Sequence, residues 1–317
     1  MGLRVAIFTD EIGWHTRQLQ AALRARGAQG RCIDLADCHI DTSAPGSGLL
    51  IPGFGRGLPD AALVRGIAGG SFEQVTKRLG VLHALRELGV PVYNDARAIE
   101  RSVDKSMTSV LLHAAGVPTP PTWALESAAQ AQRVLLREHA AGHRLVLKPL
   151  FGSQGRGLQL LGDGDAPGAG VPQLPPLDAP YGRLAYLQRY LPPLAQPGHD
   201  WRVLVVGGRA RAAMRRVSAH WVHNLAQGAR TEPCDISPAL ARLAEQAAAA
   251  LQMDYAGIDL MPSGRGAPIQ VIEVNGVAAW QGLQRVTSFN IARALVDDLL
   301  DRRCARLRLH AVAPRRA

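Results

Sequence analysis

A chain of 317 residues, 47% hydrophobic and 20% charged, has the length for two or three domains with sizeable cores and the balance of a soluble globular protein. It has no apolar stretch long enough to span a bilayer and no signal-peptide pattern at its N-terminus, so neither a membrane span nor export is expected. The formal charge of +10 comes from scattered arginines; it allows a nucleic-acid partner, though few aromatics interleave them, and suits an anionic small substrate with nucleotide equally well.

Residues 1–100 alternate strand and helix signals. Met1 to Thr9 reads as a first strand around Val5-Ala6-Ile7-Phe8, Gln18 to Leu23 is helical, and Gly27 suits a helix C-cap. Arg31-Cys32-Ile33 and Leu49-Leu50-Ile51 read as further strands. Phe72 to Leu88 reads as a long helix ending at Gly89, with Val90 to Tyr93 after it. This alternation predicts a Rossmann-like parallel sheet with helices on its faces. Gly53-Phe54-Gly55-Arg56-Gly57 lacks dinucleotide-binding spacing and reads either as a ligand loop at the carboxyl end of a strand or as a plain turn. Cys32, Cys38, Cys234 and Cys304 have no metal-ligand spacing, which points to a reduced, cytoplasmic protein.

The second segment, residues 101–183, opens with a helix that Ser102 could cap, with Lys105 in its first turns. Pro118-Thr119-Pro120-Pro121-Thr122 forms a stiff connection, and Ala128 to His139 a further helix. Lysine is scarce in this arginine-rich chain: only Lys77, Lys105 and Lys148 occur. A lysine retained in such a composition marks a place where a compact ammonium cannot be replaced by a planar fork. Lys148 ends the apolar run Leu145-Val146-Leu147 and precedes Gly152-Ser153-Gln154-Gly155-Arg156-Gly157. The loop is not a Walker A loop, because Leu158 stands where Lys-Ser or Lys-Thr would be needed. A flexible flap between two strands, laid over phosphates, fits better. Lys77 reads as a surface residue. Residues 162–182 are rich in Gly, Pro and Asp and read as a loop.

The third segment, residues 184–304, starts with the strand Ala185 to Leu191. Trp201–Val206, Gly207-Gly208 and Arg209–Val217 read as a hairpin with a two-residue turn. In that register Asp200 lies opposite Arg215 and Arg202 opposite Ala213, so that Asp200, Arg202 and Arg215 share one face and Arg216 takes the other. Ser237-Pro238 caps an alanine-rich helix to Leu251. Gly257 to Leu260 and Ile269 to Asn275 are strands, Asn290 to Leu300 a final helix, and residues 305–317 a frayed tail. Glu273 and Asn275 stand two apart on a strand and leave it on one face, and Asp259 comes from the preceding strand. Two carboxylates and an amide oxygen are hard ligands suited to magnesium bridging nucleotide phosphates, with manganese as an alternative. A solvated sheet edge is the competing reading. His220 and His223 lack further ligands and more simply line a loop near Asn224.

Together these residues resemble the ATP-grasp superfamily and, within it, the RimK-like α-L-glutamate ligases, over nearly the whole chain from about Gly53 to Leu300. Asp104-Lys105, Thr108-Ser109 and Ala115 to Thr122 look like the start of that family's ATP-binding region. Val146 to Pro149 and Gly152, Ser153, Gln154, Gly155 and Gly157 look like its second lysine and phosphate flap. Gln188, Arg189, Tyr190 and Leu191 are similar to its adenine hinge, and Gly257 to Leu260 with Glu273-Val274-Asn275 to its magnesium motif. Asp200 to Val206, Arg215-Arg216, Asn224 and Gly228 follow its later pattern. Gly276 to Gln284 departs from it, since many relatives have Ser-Pro-Gly after the asparagine. The hinge runs into Pro192-Pro193, where an acidic ribose ligand is often near; Asp200 is the candidate if the loop folds back.

The resemblance implies an N-terminal pre-ATP-grasp domain followed by a two-lobed ATP-grasp domain. It implies a carboxylate–amine ligase in which a substrate carboxylate attacks the γ-phosphorus of ATP and an amine, glutamate or a similar amino acid, displaces phosphate. Lys105 and Lys148 would hold the phosphates, Asp259, Glu273 and Asn275 the metal, and Arg215 the transferring group. Arg202, Arg216 and Asn224 would serve the substrate. A homo-oligomer is compatible with this reading. The alternative is a nucleotide-binding regulatory module without ligase turnover; a basic nucleic-acid-binding protein is a weaker third.

Overall fold

The computed structural model describes residues 2–43, 45–152, 154–162, 171–264 and 268–305. Ser153 of the glycine loop, part of the expected loop at 162–182, and the tail beyond 305 lie outside the described residues.

The first sheet is parallel, with strand order β2-β1-β5-β6. Its elements in chain order are β1 (Arg4–Phe8), α1 (Trp14–Ala25), β2 (Gln29–Ile33), β3 (His39–Ile40), β4 (Leu49–Leu50), β5 (Ala61–Val64), α2 (Phe72–Glu87) and β6 (Val92–Tyr93). Leu49-Leu50 does not join this sheet: it pairs with β3 in a separate ribbon. The missing parallel strand is the short run Ala61-Ala62-Leu63-Val64, fully buried beside β1. The glycine loop at 53–57 lies against Arg4, at the amino end of β1, and Arg4 stacks over Phe54. It is therefore a turn, remote from the carboxyl ends where such sheets bind ligands. Lys77 is more than a surface residue: its ammonium donates to the carbonyls of Leu35, Ala36 and Cys38 and closes the end of a 3₁₀ turn.

The second sheet has order β7-β10-β8-β9 and is antiparallel. It follows α3 (Ala96–Val103) and α4 (Lys105–Ala114), and comprises β7 (Thr122–Leu125), β8 (Leu145–Lys148), β9 (Gln159–Leu161) and β10 (Ala185–Arg189), with α5 (Ala128–Ala140) packed on it. Asp104, not Ser102, caps α4: its Oδ1 accepts from the N–H of Ser106 and Met107. Ser102 ends the preceding helix and donates to Ile99. β10 belongs to this second sheet, so the chain crosses to the third only after Arg189, beyond the break drawn at 183/184.

The third sheet, β13-β12-β11-β14-β15, is antiparallel and carries α6 (Pro238–Ala250). Its strands are β11 (Gly198–Val206), β12 (Arg209–Ser218), β13 (Arg230–Cys234), β14 (Tyr255–Pro262) and β15 (Ile269–Asn275), followed by α7 (Gln281–Gln284), α8 (Ile291–Asp297) and a π-helical segment over Asp298–Cys304. The two-residue turn at Gly207-Gly208 is as expected, with Val206 opposite Arg209 and Val205 opposite Ala210. The next pair is Leu204 with Ala212: Arg211 is bulged out, and the register moves by one. Asp200 then faces Arg216, and Arg202 faces Met214. A one-residue slip turns a strand's side chains to the opposite face. Arg216 therefore joins Asp200 and Arg202, and Arg215 moves to the other side, against Glu232.

Asn94 fastens the first sheet to the third. Fully buried just past β6, it donates to the carbonyls of Tyr255 (2.7 Å) and Gly276 (2.6 Å) and accepts from the N–H of Asp254 and Tyr255. All its polar capacity is used, which fixes β14 and the end of β15 against the carboxyl edge of the parallel sheet.

Candidate active site

The site lies where the second and third sheets face each other. β8 ends in Lys148, whose ammonium donates to Gln188 Oε1 at 2.6 Å; Gln188 Nε2 in turn donates to Thr122 Oγ1 at 3.2 Å. Three strands, β8, β10 and β7, thus orient one ammonium. Burial, opposed by Glu273, lowers the Lys148 pKa to about 8. Lys105, at the start of α4, donates to the carbonyls of Leu150 (3.3 Å) and Gly152 (2.9 Å) and so pins the root of the glycine flap. Burial lowers its pKa as well, with Glu273 acting against the shift. Glu273 shares a narrow cleft with Lys105, Ser109 and Tyr186, where the Ser109 and Tyr186 hydroxyls meet at 2.8 Å. Two desolvated cations beside a carboxylate prepare a place for anionic oxygens.

The flap itself, between β8 and β9, leans on the third-sheet loop. Gln227 donates to the carbonyl of Gln154. Gly155, with φ of +69°, passes so close that a Cβ there would lie 2.9 Å from Val222 and 3.4 Å from Asn224. Asn224 therefore touches the flap.

On the third sheet, Asp259 stands opposite Glu273, and Gly257 opposite Asn275. Residues directly opposite share a face, so the three expected metal ligands come together. Asn275 Nδ2 donates to the Gly257 carbonyl, which leaves its amide oxygen for a cation. Among the described residues no group of three or more His, Cys, Asp and Glu could hold a metal, so the amide oxygen is needed to complete the set. Two carboxylates and an amide oxygen fit magnesium, a hard cation that keeps several waters.

Asp259 is not alone. Arg202 forks onto both its oxygens at 2.7 Å, and Arg216 reaches it at 3.0 Å while forking onto Asp200 at 2.7 and 2.5 Å. Two carboxylates and two guanidiniums form a charge-balanced, almost wholly buried cluster. Burial opposes ionisation of Asp259, yet Arg202 and Arg216 together hold its pKa below the ordinary value. Burial pushes Asp200 up, against Arg216. Asp200 is 3% exposed and both its oxygens are held by Arg216, so it does not fit the ribose role; Asp259, 2% exposed and held by Arg202 and Arg216, serves a cation only by exchanging one of those bonds for it. Arg215, bonded to Glu232 on the opposite face, does not fit the role of holding the transferring group; Arg216 and Arg202 stand where it was expected.

The hinge is divided. Gln188 points inward, as above. Arg189 sends its guanidinium outward onto Glu138 of α5, and its backbone N–H donates to the Pro121 carbonyl at 2.9 Å, so neither serves a nucleotide. Tyr190 packs under Arg144 and edge-on to Trp221, and Leu191 leads into the prolines. The sequence marked Thr122 only as the end of the Ala115–Thr122 run and missed Asn94; the partners of both are far away in the chain.

Profiles of two families match the chain: the RimK PreATP-grasp domain over residues 3–99 and the RimK-like ATP-grasp domain over residues 102–299. The chain is 30% identical to tetrahydromethanopterin:α-L-glutamate ligase of Methanosarcina acetivorans, over 92% of this chain and 96% of that one. It is likewise 30% identical to probable α-L-glutamate ligase 2 of Hahella chejuensis, over 90% of each. The fold is shared with the ATP-grasp ligase PsnB complexed with minimal precursor, Mg and ADP, at a TM-score of 0.67 and 21% identity over 94% of this chain and 97% of that one. D-cycloserine synthetase DcsG superposes at 0.63 and 19% identity, over 96% and 99%. With both family domains matched in order, the chain belongs to the RimK-like ATP-grasp family.

Proposed function

We propose that the protein is an ATP-dependent ligase that joins an amino acid, glutamate by analogy with its relatives, to a carboxylate acceptor with release of ADP and phosphate. The observation that carries this reading is the placement of Lys105 and Glu273 in one cleft, with Lys148 near enough for the charges of both to act on it, and with Asp259 and Asn275 on the face of Glu273. Magnesium, held by Asp259, Glu273 and Asn275, would supply charge neutralisation at the phosphates. The rest is done by the chain. Lys148, oriented by Gln188, and Lys105, at the flap root, bind phosphate oxygens. The flap, resting on Asn224 and Val222, excludes water. Arg202, the less buried of the two arginines, presents N–H donors where negative charge grows as the acceptor carboxylate attacks the γ-phosphorus, with Arg216 behind it holding Asp200 and Asp259. An amine then attacks the acyl phosphate, and phosphate leaves. No side chain is needed as a nucleophile.

The test is hydroxylamine trapping. With ATP, magnesium and a pool of carboxylic acids, hydroxylamine replaces the amine and yields an ATP-dependent hydroxamate. A carboxylate labelled with heavy oxygen passes one labelled atom into the phosphate. Unlabelled phosphate alongside full amide formation would reject the acyl-phosphate route.

A further inference from the structure

Beyond Asn275 the chain runs to the carboxyl edge of the first sheet and meets side chains that the phosphate chemistry does not use. Trp14 and His15 open α1, and Trp280 precedes α7. Their rings pack edge to face, with centroids 4.8–5.2 Å apart. His15 Nε2 accepts from the backbone N–H of Trp280 (3.1 Å) and of Gln281 (3.2 Å). A ring nitrogen that accepts carries no proton, so His15 is neutral and protonated on Nδ1. Burial and the charge of Arg65 hold its pKa near 4, in keeping with a neutral ring. The indole N–H of Trp280, a residue 1% exposed, has no acceptor among the described residues. Arg65 follows β5 at the same edge. Its Nη1 donates to the Val277 carbonyl at 3.1 Å and its guanidinium lies against the Tyr255 hydroxyl, but its buried Nε has no acceptor among the described residues.

A buried donor left unpaired costs about 1–3 kcal/mol, and this edge holds two, beside a neutral imidazole whose remaining N–H is also a donor. Three donors and a guanidinium charge ask for an anion. Two carboxylates stand in the neighbouring loop, Asp10 against Gly66 and Glu11 against Gly13, both on exposed residues.

We propose that Arg65, Trp280 and His15 bind a second anionic group of the acceptor, a carboxylate or a phosphate, separate from the carboxylate that is activated. Val277, which Arg65 holds, is two residues past Asn275, a chain reach of at most about 7 Å. The anion site therefore adjoins the metal ligands, and one acceptor molecule can reach both. Half-buried Trp14 and Ile12, which is 69% exposed, offer its uncharged body an apolar wall. The acceptor is then at least doubly anionic; the assignment rests on the ligase reading for the reacting end but not for the anion site itself.

The experiment titrates tryptophan fluorescence with glutarate, inorganic phosphate and uncharged glutaramide, with magnesium and a non-hydrolysable ATP analogue filling the lysine site. Saturable quenching by glutarate or phosphate is expected, with none by glutaramide, and the stronger of the two anions names the group. Trp14→Phe should remove much of the signal. Arg65→Gln should raise half-saturation at least tenfold, Arg65→Lys should recover much of it, and nucleotide affinity should stay within twofold in both. Equal anion affinity in Arg65→Gln, or glutaramide acting as well as glutarate, overturns the proposal. If Arg65→Gln does not fold, the glutarate–glutaramide comparison on the native protein decides. Failure of the ligase reading shows separately, as absent nucleotide binding and no hydroxamate, and leaves the anion titration readable without the analogue.

Discussion

Arg216 and Asp200 face each other across β11 and β12 as a two-bond fork at 2.7 and 2.5 Å, each nearly inaccessible to solvent. Removing one partner of a buried pair leaves the other charge uncompensated, which typically costs about 3–5 kcal/mol. Arg216→Ala should therefore lower the melting temperature sharply. Arg215→Ala, which loses only a half-exposed pair with Glu232, should stay within about 1 kcal/mol. Thermal unfolding of the two variants checks this; equal melting temperatures would contradict the bulged register.

Arg202 and Arg215 separate in catalysis. Arg202→Ala should lose hydroxamate formation chiefly in kcat, because its fork stands at Asp259. A loss on the order of 10²–10³ is expected where a single charge-stabilising donor is removed. Arg215→Ala should keep turnover within a few fold. Steady-state kinetics at saturating ATP distinguish them, and a dead Arg215→Ala with a normal fold would return the role to that residue.

Much of this arrangement is legible from residue spacing, and the failures have physical causes. Glu273 and Asn275 two apart, Lys148 before a glycine loop, and Ser237-Pro238 before a helix are local patterns, set by strand alternation and helix capping. The hairpin turn at Gly207-Gly208 is local too, but the bulge at Arg211 is not: nothing in Arg209 to Val217 marks which residue the partner strand skips. That one residue exchanged Arg215 for Arg216. β5 is hidden for a different reason. Ala61 to Val64 is a short run without alternation, because both its faces are covered. Asn94 and Arg65 act on partners 160–212 residues away, a separation no periodicity can report.

Magnesium dependence should fall on one carboxylate in particular. Glu273→Gln keeps shape but removes a charged ligand that no arginine contacts among the described residues, whereas Asp259 is already shared with Arg202 and Arg216. Glu273→Gln should abolish turnover at modest magnesium with an unchanged melt of the free protein. Near-normal ADP release by the folded variant would rule out Glu273 as a ligand.

Lys148 supplies a pH signature. Its ammonium, with a pKa lowered to about 8 by burial, is mostly charged below that pH and mostly neutral above it in the free protein. Nucleotide phosphates favour the charged form, so nucleotide binding should weaken as pH rises through about 8, by up to tenfold per unit, with proton uptake on binding. Stability runs the other way. The unfolded lysine, with an ordinary pKa of 10.5, binds more protons than the folded one between the two values, so this group's contribution to stability rises with pH across that window. Lys148→Arg stays charged throughout and should flatten the pH dependence. It should also weaken nucleotide binding at neutral pH, because the planar fork does not fit against Gln188 as the ammonium does. Lys77→Arg, far from the cleft, should keep the native profile. Calorimetric titration of a non-hydrolysable ATP analogue at pH 7, 8 and 9 in buffers of different ionisation enthalpy measures affinity and proton uptake together. A native affinity that does not fall between pH 7 and 9, or a Lys148→Arg profile with the native slope, would take the titration away from this lysine.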